Sequence, residues 1–189
     1  MKVIQLHQEE KQLIMLAVEN NRQAQQQIYA KFSPKMLSVC RQYIKDIHHA
    51  EDVMITGFMK VFTNLKNFEH KGSFEGWIRR IMVYECIDFL RVKKNNFNHQ
   101  DIEDVTISEN ESVYEMEDFS VDDIQNMIDN LPDGYKMVFN LYAIEGYKHQ
   151  EIAEMLKISE GTSKSQLSHA RKLLQQQITE LKKKLNGTK

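Results

Sequence analysis

A run of small, polar and basic side chains near the C-terminus could contact nucleic acid. On a helix with about 100 degrees between successive residues, these side chains share one face: Gly161, Lys164, Ser165, Ser168, Arg171 and Lys172. The opposite face can pack on a neighbouring element: Ser163, Leu167, Ala170 and Leu174. His169 lies at the margin, while Lys164 and Arg171 can reach phosphates or guanine edges. The pattern predicts a recognition helix, and the alternative is a solvated basic helix of an ordinary bundle.

A second face mixes aromatic and cationic side chains on a helix predicted over residues 74–94. Its members recur at helical spacing: Trp77, Arg80, Tyr84, Asp88 and Arg91. Unpaired bases stack on aromatic rings while cations hold the backbone, and each stacked base contributes about 1–3 kcal/mol. Taken alone, this pattern is weak evidence, because aromatic residues at helical spacing more often belong to a core.

His48, His49, Glu51 and Asp52 are all residue types that ligate metals. Adjacent histidines on a helix point about 100 degrees apart, however, and the sequence has no HExxH pattern. The acids are explained by the positive end of a helix dipole. We therefore expect no metal and no cofactor. A helical metal-dependent phosphohydrolase that uses His48, His49 and Asp52 remains an alternative hypothesis.

The elements that position these faces are predicted to be helices throughout. The 189 residues include only 7 Gly and 2 Pro, too few for the many turns of a β or doubly wound α/β fold. We predict an all-α protein with helices over residues 10–32, 34–44, 46–65, 74–94, 121–130, 132–144, 149–156 and 160–185. Asp46, Ser73, Ser120 and Ser159 are the predicted N-caps. The short turn at residues 157–159 gives the last two helices the spacing of a helix-turn-helix motif.

Charge divides the chain into two modules. Residues 95–135 contain twelve Asp and Glu and no Lys or Arg, whereas each flank has five more basic than acidic residues. The net charge of −2 therefore conceals two basic modules that favour nucleic acid as a partner. We predict a first domain over residues 1–94, an acidic flexible linker over 95–119 and a second domain over 120–189.

Several function classes have no support in the sequence. The GxxxxGK[ST], GxGxxG and GxSxG motifs are absent, so nucleotide hydrolases, dinucleotide enzymes and serine hydrolases are not indicated. No apolar run approaches the roughly 20 residues that span a bilayer. Cys40 and Cys86 have no partner at zinc-ligand spacing and are expected to be buried apolar side chains. We expect a cytoplasmic protein that does not insert into a membrane.

Two sets of motifs resemble a known family. The first set comprises Ala50-Glu51-Asp52-Val53, Phe58, Val61-Phe62, Phe68, Gly72-Ser73-Phe74, Trp77-Ile78, Arg80-Ile81 and Asp88-Phe89-Leu90-Arg91. It resembles conserved region two of the bacterial extracytoplasmic-function (ECF) sigma factors, in the sigma-70 family. The second set comprises Leu131-Pro132, Val138-Phe139, Glu145-Gly146, Glu151-Ile152-Ala153, Gly161-Thr162, Lys164-Ser165, Leu167 and Ala170-Arg171. It resembles their region four.

This resemblance implies an RNA polymerase subunit for promoter recognition and melting that is not itself an enzyme, with the catalytic metal in the polymerase. One implied surface docks on the clamp helices of the largest core subunit: Asp52, Ile55, Thr56 and Met59. Another melts the minus-ten element and captures a flipped base: Phe68, Lys71, Ser73, Trp77, Arg80, Tyr84 and Arg91. A third recognises the minus-thirty-five element: Thr162, Lys164, Ser165, Ser168, His169, Arg171 and Lys172.

The resemblance also implies further partners. These are promoter DNA, the flap of the second polymerase subunit and an anti-sigma protein, and the acidic linker would thread the polymerase cleft. The alternative to a sigma factor is a free-standing helix-turn-helix regulator whose N-terminal bundle serves dimerisation or ligand binding. That regulator would bind duplex DNA tightly by itself, whereas a sigma factor of this size should need core polymerase.

The sequence departs from the family pattern at three places. Ile55-Thr56 stand where the family usually has Gln-Glu, which makes the clamp contact more apolar. Tyr84 occupies a position of the base pocket that Asn often holds, so the preferred base is not predicted. Gln166 and His169 replace frequent arginines, which weakens the attraction to phosphates.

Overall fold

The computed structural model describes residues 2–96 and 119–186, and describes side chains over residues 9–92 and 119–183. These residues form helices and turns without a β-strand, as predicted. The chain divides into two compact units, Met1–Phe97 and Asn98–Lys189. Within the described residues, no helix is long and apolar enough to cross a bilayer.

The first unit is a bundle of four helices. These are α1 (Lys2–Val18), α2 (Arg22–Tyr43), α3 (Ile47–Asn64) and α4 (Phe74–Asn96), with a 3-10 turn at Leu65–Asn67 after α3. Helices α2, α3 and α4 pack on one another, and α1 packs on α2 and the 3-10 turn. The centre of the bundle is apolar and fully buried: Ile28, Met36, Val61, Ile78, Met82, Val83 and Cys86. This core holds the outer faces of α3 and α4 in place.

Gly57 lets α3 and α4 approach each other closely. A β-carbon at this position would overlap the thioether of Met82, which is fully buried on α4. A glycine inside a helix weakens it by about 1 kcal/mol relative to alanine. Here the missing side chain makes room for a helix contact, so the residue has a packing role.

The prediction for the first two helices was wrong. The expected helices at residues 10–32 and 34–44 are replaced by a break after Val18 and one helix that continues through Pro34. Asn20 adopts a left-handed φ of 62°, and the Asn21 side chain caps α2 by accepting from the Ala24 amide at 3.1 Å. Pro34 remains inside α2 because buried side chains on both sides of it, Phe32 and Met36 among them, pack in the core.

The predicted starts of α3 and α4 are confirmed. Asp46 accepts a hydrogen bond from the His49 amide at 3.0 Å, and Ser73 accepts one from the Gly76 amide at 3.2 Å. Helix α4 continues to Asn96, two residues into the segment predicted as a linker. The rest of that segment up to residue 118 lies outside the described residues.

The described part of the second unit, residues 119–186, contains four α-helices. These are α5 (Val121–Asp129), α6 (Asp133–Phe139), α7 (His149–Leu156) and α8 (Glu160–Asn186). Its core is formed by apolar residues from α6, α7 and α8 and the segment after α6: Val138, Leu141, Ile152, Leu167 and Ala170. The predicted capping box is confirmed, because Ser120 and Asp123 each bond the other's backbone amide.

The helix predicted over residues 132–144 is present in a modified form. It begins after Pro132, but its last five residues, Asn140–Ile144, form a π-helical segment. A π-helical segment changes the direction in which side chains leave the helix, and such segments are frequent at functional sites. Gly146, with a φ of 77°, then turns the chain into α7.

The helix-turn-helix geometry follows as predicted. Lys157 ends α7 in the left-handed conformation, with a φ of 56°. Ser159 caps α8 by accepting a hydrogen bond from the Thr162 amide at 2.9 Å. The turn between the two helices is therefore short and closed by local hydrogen bonds, which fixes where α8 begins.

Candidate nucleic-acid interface

Helix α8 has the two faces that the sequence predicts. Ser163, Leu167 and Ala170 are at most 4% exposed and face the core of the second unit. Four residues of the opposite face are exposed, namely Gly161, Lys164, Ser165 and Arg171. Four further predicted contact residues are partly exposed: Thr162, Ser168, His169 and Lys172. All seven residues predicted to recognise the minus-thirty-five element thus lie on α8 with some surface open to solvent.

Local hydrogen bonds engage the first turn of α8. The hydroxyl groups of Thr162 and Ser159 are 2.8 Å apart, and the Ser165 hydroxyl donates to the Thr162 carbonyl at 3.0 Å. Lys164 forms an exposed ion pair with Glu160, with 2.7 Å between Nζ and Oε1. The hydrogen bond from the Lys164 ammonium, together with its charge, lowers the pKa of Glu160. An approaching phosphate would compete with Glu160 for this ammonium.

Two tyrosines before α7 contact side chains of α8. The rings of Tyr135 and His169 stack with centroids 5.4 Å apart and an interplanar angle of 15°. The guanidinium carbon of Arg171 lies 5.8 Å from the centroid of the Tyr142 ring. The sequence analysis missed both tyrosines, although their spacing of seven residues places them near one face of a regular helix.

The predicted aromatic face of α4 is built on a cluster of rings. Trp77 is half-buried, with its ring centroid 5.5 Å from that of Phe68 and 5.9 Å from that of Phe74. Phe68 itself is only 9% exposed and also packs against Phe74. The structure therefore places Phe68 beneath Trp77, as a support for the surface rather than a part of it.

The charged residues of this face lie on either side of Tyr84. The guanidinium carbon of Arg80 is 5.8 Å from the Tyr84 ring centroid, and Tyr84 is 37% exposed. About two turns further along α4, Arg91 pairs with Asp88 at 3.1 Å. Before the helix, Lys71 is exposed and pairs with Glu69 at 2.7 Å, while Ser73 caps α4. Aromatic and cationic groups are thus adjacent, as the spacing predicts.

A shallow pocket opens between α3 and α4 beside this face. It is lined by Lys60, Asn64, Asn67, Trp77, Ile81, Tyr84 and Glu85. Lys60 forms an ion pair with Glu85, whose side chain is only 9% exposed. The sequence analysis missed the residues from the α3 side, although Lys60, Asn64 and Asn67 recur at intervals of four and three residues. Only the packing of α3 on α4 joins them to Trp77 and Tyr84.

The outer face of α3 carries the residues that the resemblance assigns to polymerase docking. Asp52, Ile55, Thr56 and Met59 are all exposed, and Ile55 and Met59 are 51% and 65% exposed. The Thr56 hydroxyl donates to the Asp52 carbonyl at 2.9 Å, which satisfies this polar group within the helix. The face therefore presents two neighbouring apolar side chains to solvent.

The histidines at the start of α3 have local partners. His49 Nδ1 lies 3.1 Å from Asp46 Oδ1, and its ring packs on Phe89. His48 Nδ1 lies 3.8 Å from Glu51 Oε2. Over the part of the chain that the structure describes, no three His, Cys, Asp or Glu residues are arranged to hold a metal ion.

Family models match both units. The model of sigma-70 region 2 matches residues 28–96, and the model of sigma-70 region 4 matches residues 121–174. The first match contains the faces of α3 and α4, and the second contains α5 to α7 and the exposed face of α8. Both region models match in the expected order, which disfavours the free-standing regulator.

Individual relatives agree with the family models. The ECF sigma factor SigW of Bacillus subtilis is 29% identical over 163 residues, covering 79% of this chain and 86% of the relative. The ECF sigma-E factor of Haemophilus influenzae is 23% identical over 184 residues, covering 89% of this chain and 95% of the relative.

A solved structure has a similar fold. The sigma factor RpoE of Bartonella quintana, in complex with the anti-sigma factor NepR, matches with a TM-score of 0.53 at 20% identity. The match covers 82% of this chain and 96% of the solved chain. From both region models and the relatives, we conclude that the chain belongs to the ECF group of the sigma-70 family and is an RNA polymerase sigma factor for transcription initiation.

Proposed function

We propose that three surfaces of this sigma factor have separate binding roles in transcription initiation. The exposed face of α8 binds the minus-thirty-five duplex, and the α4 face with its neighbouring pocket holds the unpaired minus-ten strand. The outer face of α3 docks on the clamp helices of the polymerase. RNA synthesis itself is carried out by the polymerase, so the chain acts in the cytoplasm as a regulatory subunit and not as an enzyme.

The main support for minus-thirty-five binding is the division of α8 into a buried and an exposed face. The buried face anchors the helix, whereas Lys164 and Arg171 on the other face supply cations for phosphates or guanine edges. Gly161 and Ser165 are small and exposed, so the backbone can approach the major groove closely. The same helix-turn-helix placement occurs in proteins that read the major groove with their second helix.

Aromatic side chains beside a pocket support minus-ten binding. Single-stranded nucleic acid is held by base stacking combined with cations that contact the backbone. Trp77 and Tyr84 provide rings at the edge of the pocket, and Arg80 lies against Tyr84. The asparagines at positions 64 and 67 offer both hydrogen-bond donors and acceptors to a base edge. Phe68 contributes by supporting Trp77.

Exposed apolar side chains on α3 support polymerase docking. Ile55 and Met59 lie one turn apart, next to the acidic Asp52. Apolar centres with polar surroundings are the usual composition of protein interfaces.

We include promoter DNA, the flap of the second polymerase subunit and an anti-sigma protein among the partners. The anti-sigma protein is supported by the Bartonella sigma factor, which shares the fold and was solved in complex with NepR.

Transcription from a genomic fragment library tests the function as a whole. Purified core polymerase is used with and without this protein at a stated salt concentration, because phosphate contacts depend on salt. We expect new start sites that share two spaced upstream elements. The proposal is contradicted if no new start appears and the free protein binds duplex DNA tightly without polymerase.

A further inference from the structure

The ring of Tyr142 contacts one residue from each helix of the helix-turn-helix motif. On one side it stacks with His149, the first residue of α7, with centroids 4.6 Å apart and an interplanar angle of 22°. It also contacts the Arg171 guanidinium, whose carbon lies 5.8 Å from the ring centroid. Tyr142 belongs to the π-helical segment, and Arg171 belongs to the exposed face of α8. Three elements therefore meet at one aromatic ring.

His149 is itself attached to the buried side of α8. Its Nδ1 lies 2.9 Å from the hydroxyl oxygen of Ser163, within hydrogen-bond distance. Ser163 has no exposed surface and lies on the inner face of α8. The resulting series of contacts, from Ser163 through His149 and Tyr142 to Arg171, connects the buried face of α8 to its exposed face. The Tyr142 ring is thereby held in a defined place relative to α8.

An arginine that rests on a ring is ordered before it meets a phosphate. A free arginine side chain loses rotamer entropy when it is fixed. The N–H donors of a guanidinium lie in its own plane, where phosphate oxygens can accept from them. Tyrosine rings attract guanidinium groups through their electron-rich faces. Ordering of Arg171 in the free protein therefore favours binding.

We propose that Tyr142 is a positioning residue, which acts through Arg171 to strengthen contact with the promoter backbone at the minus-thirty-five element. This inference rests on the proposed function of α8. It assigns to the π-helical segment the role of placing an aromatic ring beneath a DNA-binding arginine. Tyr142 itself is not required to touch DNA.

A double-mutant cycle in the reconstituted holoenzyme tests this role. The variants are R171A, Y142L, the combination of both, and Y142F, and the affinity for a promoter fragment from the transcription experiment is measured over a series of salt concentrations. We expect R171A to weaken binding and to lower the slope of log affinity against log salt by about one. We expect Y142L to weaken binding about three- to tenfold. In the R171A background, Y142L should cause no further loss of promoter affinity. Y142F should bind the promoter like the wild type.

Tyr135 provides a matched control. It contacts α8 from the same part of the second unit, but its ring stacks on His169 and not on Arg171. We therefore expect the fold losses of promoter affinity in Y135L and R171A to multiply in the double variant. The losses in Y142L and R171A should not multiply. Equal thermal stability and equal affinity for core polymerase show that the compared variants are folded.

NMR of the free full-length chain tests the contact between Tyr142 and Arg171 without using the Y142L variant. A ring beneath Arg171 should displace its side-chain proton signals upfield, and Y142F should retain this displacement. The absence of a displacement in the wild type overturns the proposal. The proposal is also overturned if the fold losses of promoter affinity in Y142L and R171A multiply in the double variant, or if Y142F loses as much affinity as Y142L. Both outcomes leave the binding role of α8 intact. Unchanged promoter affinity in R171A overturns both the positioning role and the assignment of Arg171 to DNA binding.

Discussion

The ammonium group of Lys136 donates a hydrogen bond to the carboxylate of Asp129 across 2.7 Å inside the second unit. The two side chains are only 6% and 1% exposed. A charge removed from water is costly unless it is paired, so each group depends on the other. This pair joins the end of α5 to α6.

Breaking this pair should destabilise the second unit. We expect Lys136→Met to lower its free energy of unfolding by about 3–5 kcal/mol, because the buried Asp129 carboxylate loses the opposite charge of the Lys136 ammonium. Replacing both residues, with Asp129→Leu added, should restore much of the loss. The single tryptophan, Trp77, lies in the first unit, so its fluorescence reports that unit while circular dichroism reports both. A denaturant titration should show a shifted dichroism transition and an unchanged fluorescence transition.

The exposed ion pair of Lys164 with Glu160 provides the control for Lys136. Lys164→Met removes a lysine of the same kind, but its side chain is 60% exposed. Exposed pairs contribute at most about 1 kcal/mol, so this variant should unfold nearly like the wild type. Equal losses in the two variants would contradict the importance of burial.

The α3 face should be tested with a charge at its centre. We expect Ile55→Asp to weaken binding to core polymerase about tenfold or more, because a carboxylate would replace an apolar anchor of the interface. Competition between labelled and unlabelled sigma factor for core polymerase measures this affinity. Met15→Asp is the matched control, since Met15 is 59% exposed but lies on α1. A similar loss in both variants would place the docking surface elsewhere.

Loss of the Trp77 ring should impair promoter opening. We expect Trp77→Ala to reduce the fraction of open complex at least fivefold, since stacking of one base contributes about 1–3 kcal/mol. Permanganate reactivity of unpaired thymines reports the opening. Trp77→Phe keeps a stacking surface and a ring against Phe68 and Phe74, so it should open the promoter better than the alanine variant. If the phenylalanine variant is as defective as alanine, stacking is not the reason.

Two substitutions in the first turn of α8 should have opposite effects on promoter binding. Lys164→Ala removes a cation, so we expect weaker binding and a salt slope reduced by about one. Glu160→Gln removes the competitor for the same ammonium, whose Nζ is 2.7 Å from the carboxylate, so we expect tighter binding. Holoenzyme affinity for one promoter fragment at several salt concentrations measures both. Effects in the same direction would show that the pair does not compete with DNA.

The capping box of α5 should make a contribution that depends on pH. Hydrogen bonds from the Ser120 hydroxyl and amide lower the pKa of Asp123 below its ordinary value. A carboxyl group whose pKa is lowered by folding adds stability above its unfolded pKa, and this stability is lost as the pH falls through the folded pKa. We expect Ser120→Ala to raise the pKa of Asp123 in an NMR titration. An unchanged titration in this variant would contradict the assigned cause.

Local features of the structure could be predicted from the sequence. The caps at Asp46, Ser73, Ser120 and Ser159 were confirmed, because a cap depends on residues only three positions apart. The break near Asn20 and the helix through Pro34 were not predicted. Their positions depend on which side chains the bundle buries, and burial outweighs the local preference of proline.

The sequence predicted which residues share a face of one helix, but not which residues of different elements contact each other. The buried and exposed residues of α8 follow from the period of one helix, so Lys164 and Leu167 were assigned correctly to opposite sides. The burial of Phe68 and the contacts of Tyr142 join residues from different elements. No spacing along one helix predicts such contacts, because they depend on how the helices pack.

By itself, the sequence determined the helical class, the caps and the polarity of the α4 and α8 faces, all of which arise from neighbours within a few turns. It also determined the separation of charge between two basic modules and an acidic segment. Tertiary structure alone decided that Lys60 and Asn64 share a pocket with Trp77, and that Arg171 rests on Tyr142. The reason is that close packing of helices brings together side chains that are distant along the chain, at distances that depend on the whole core.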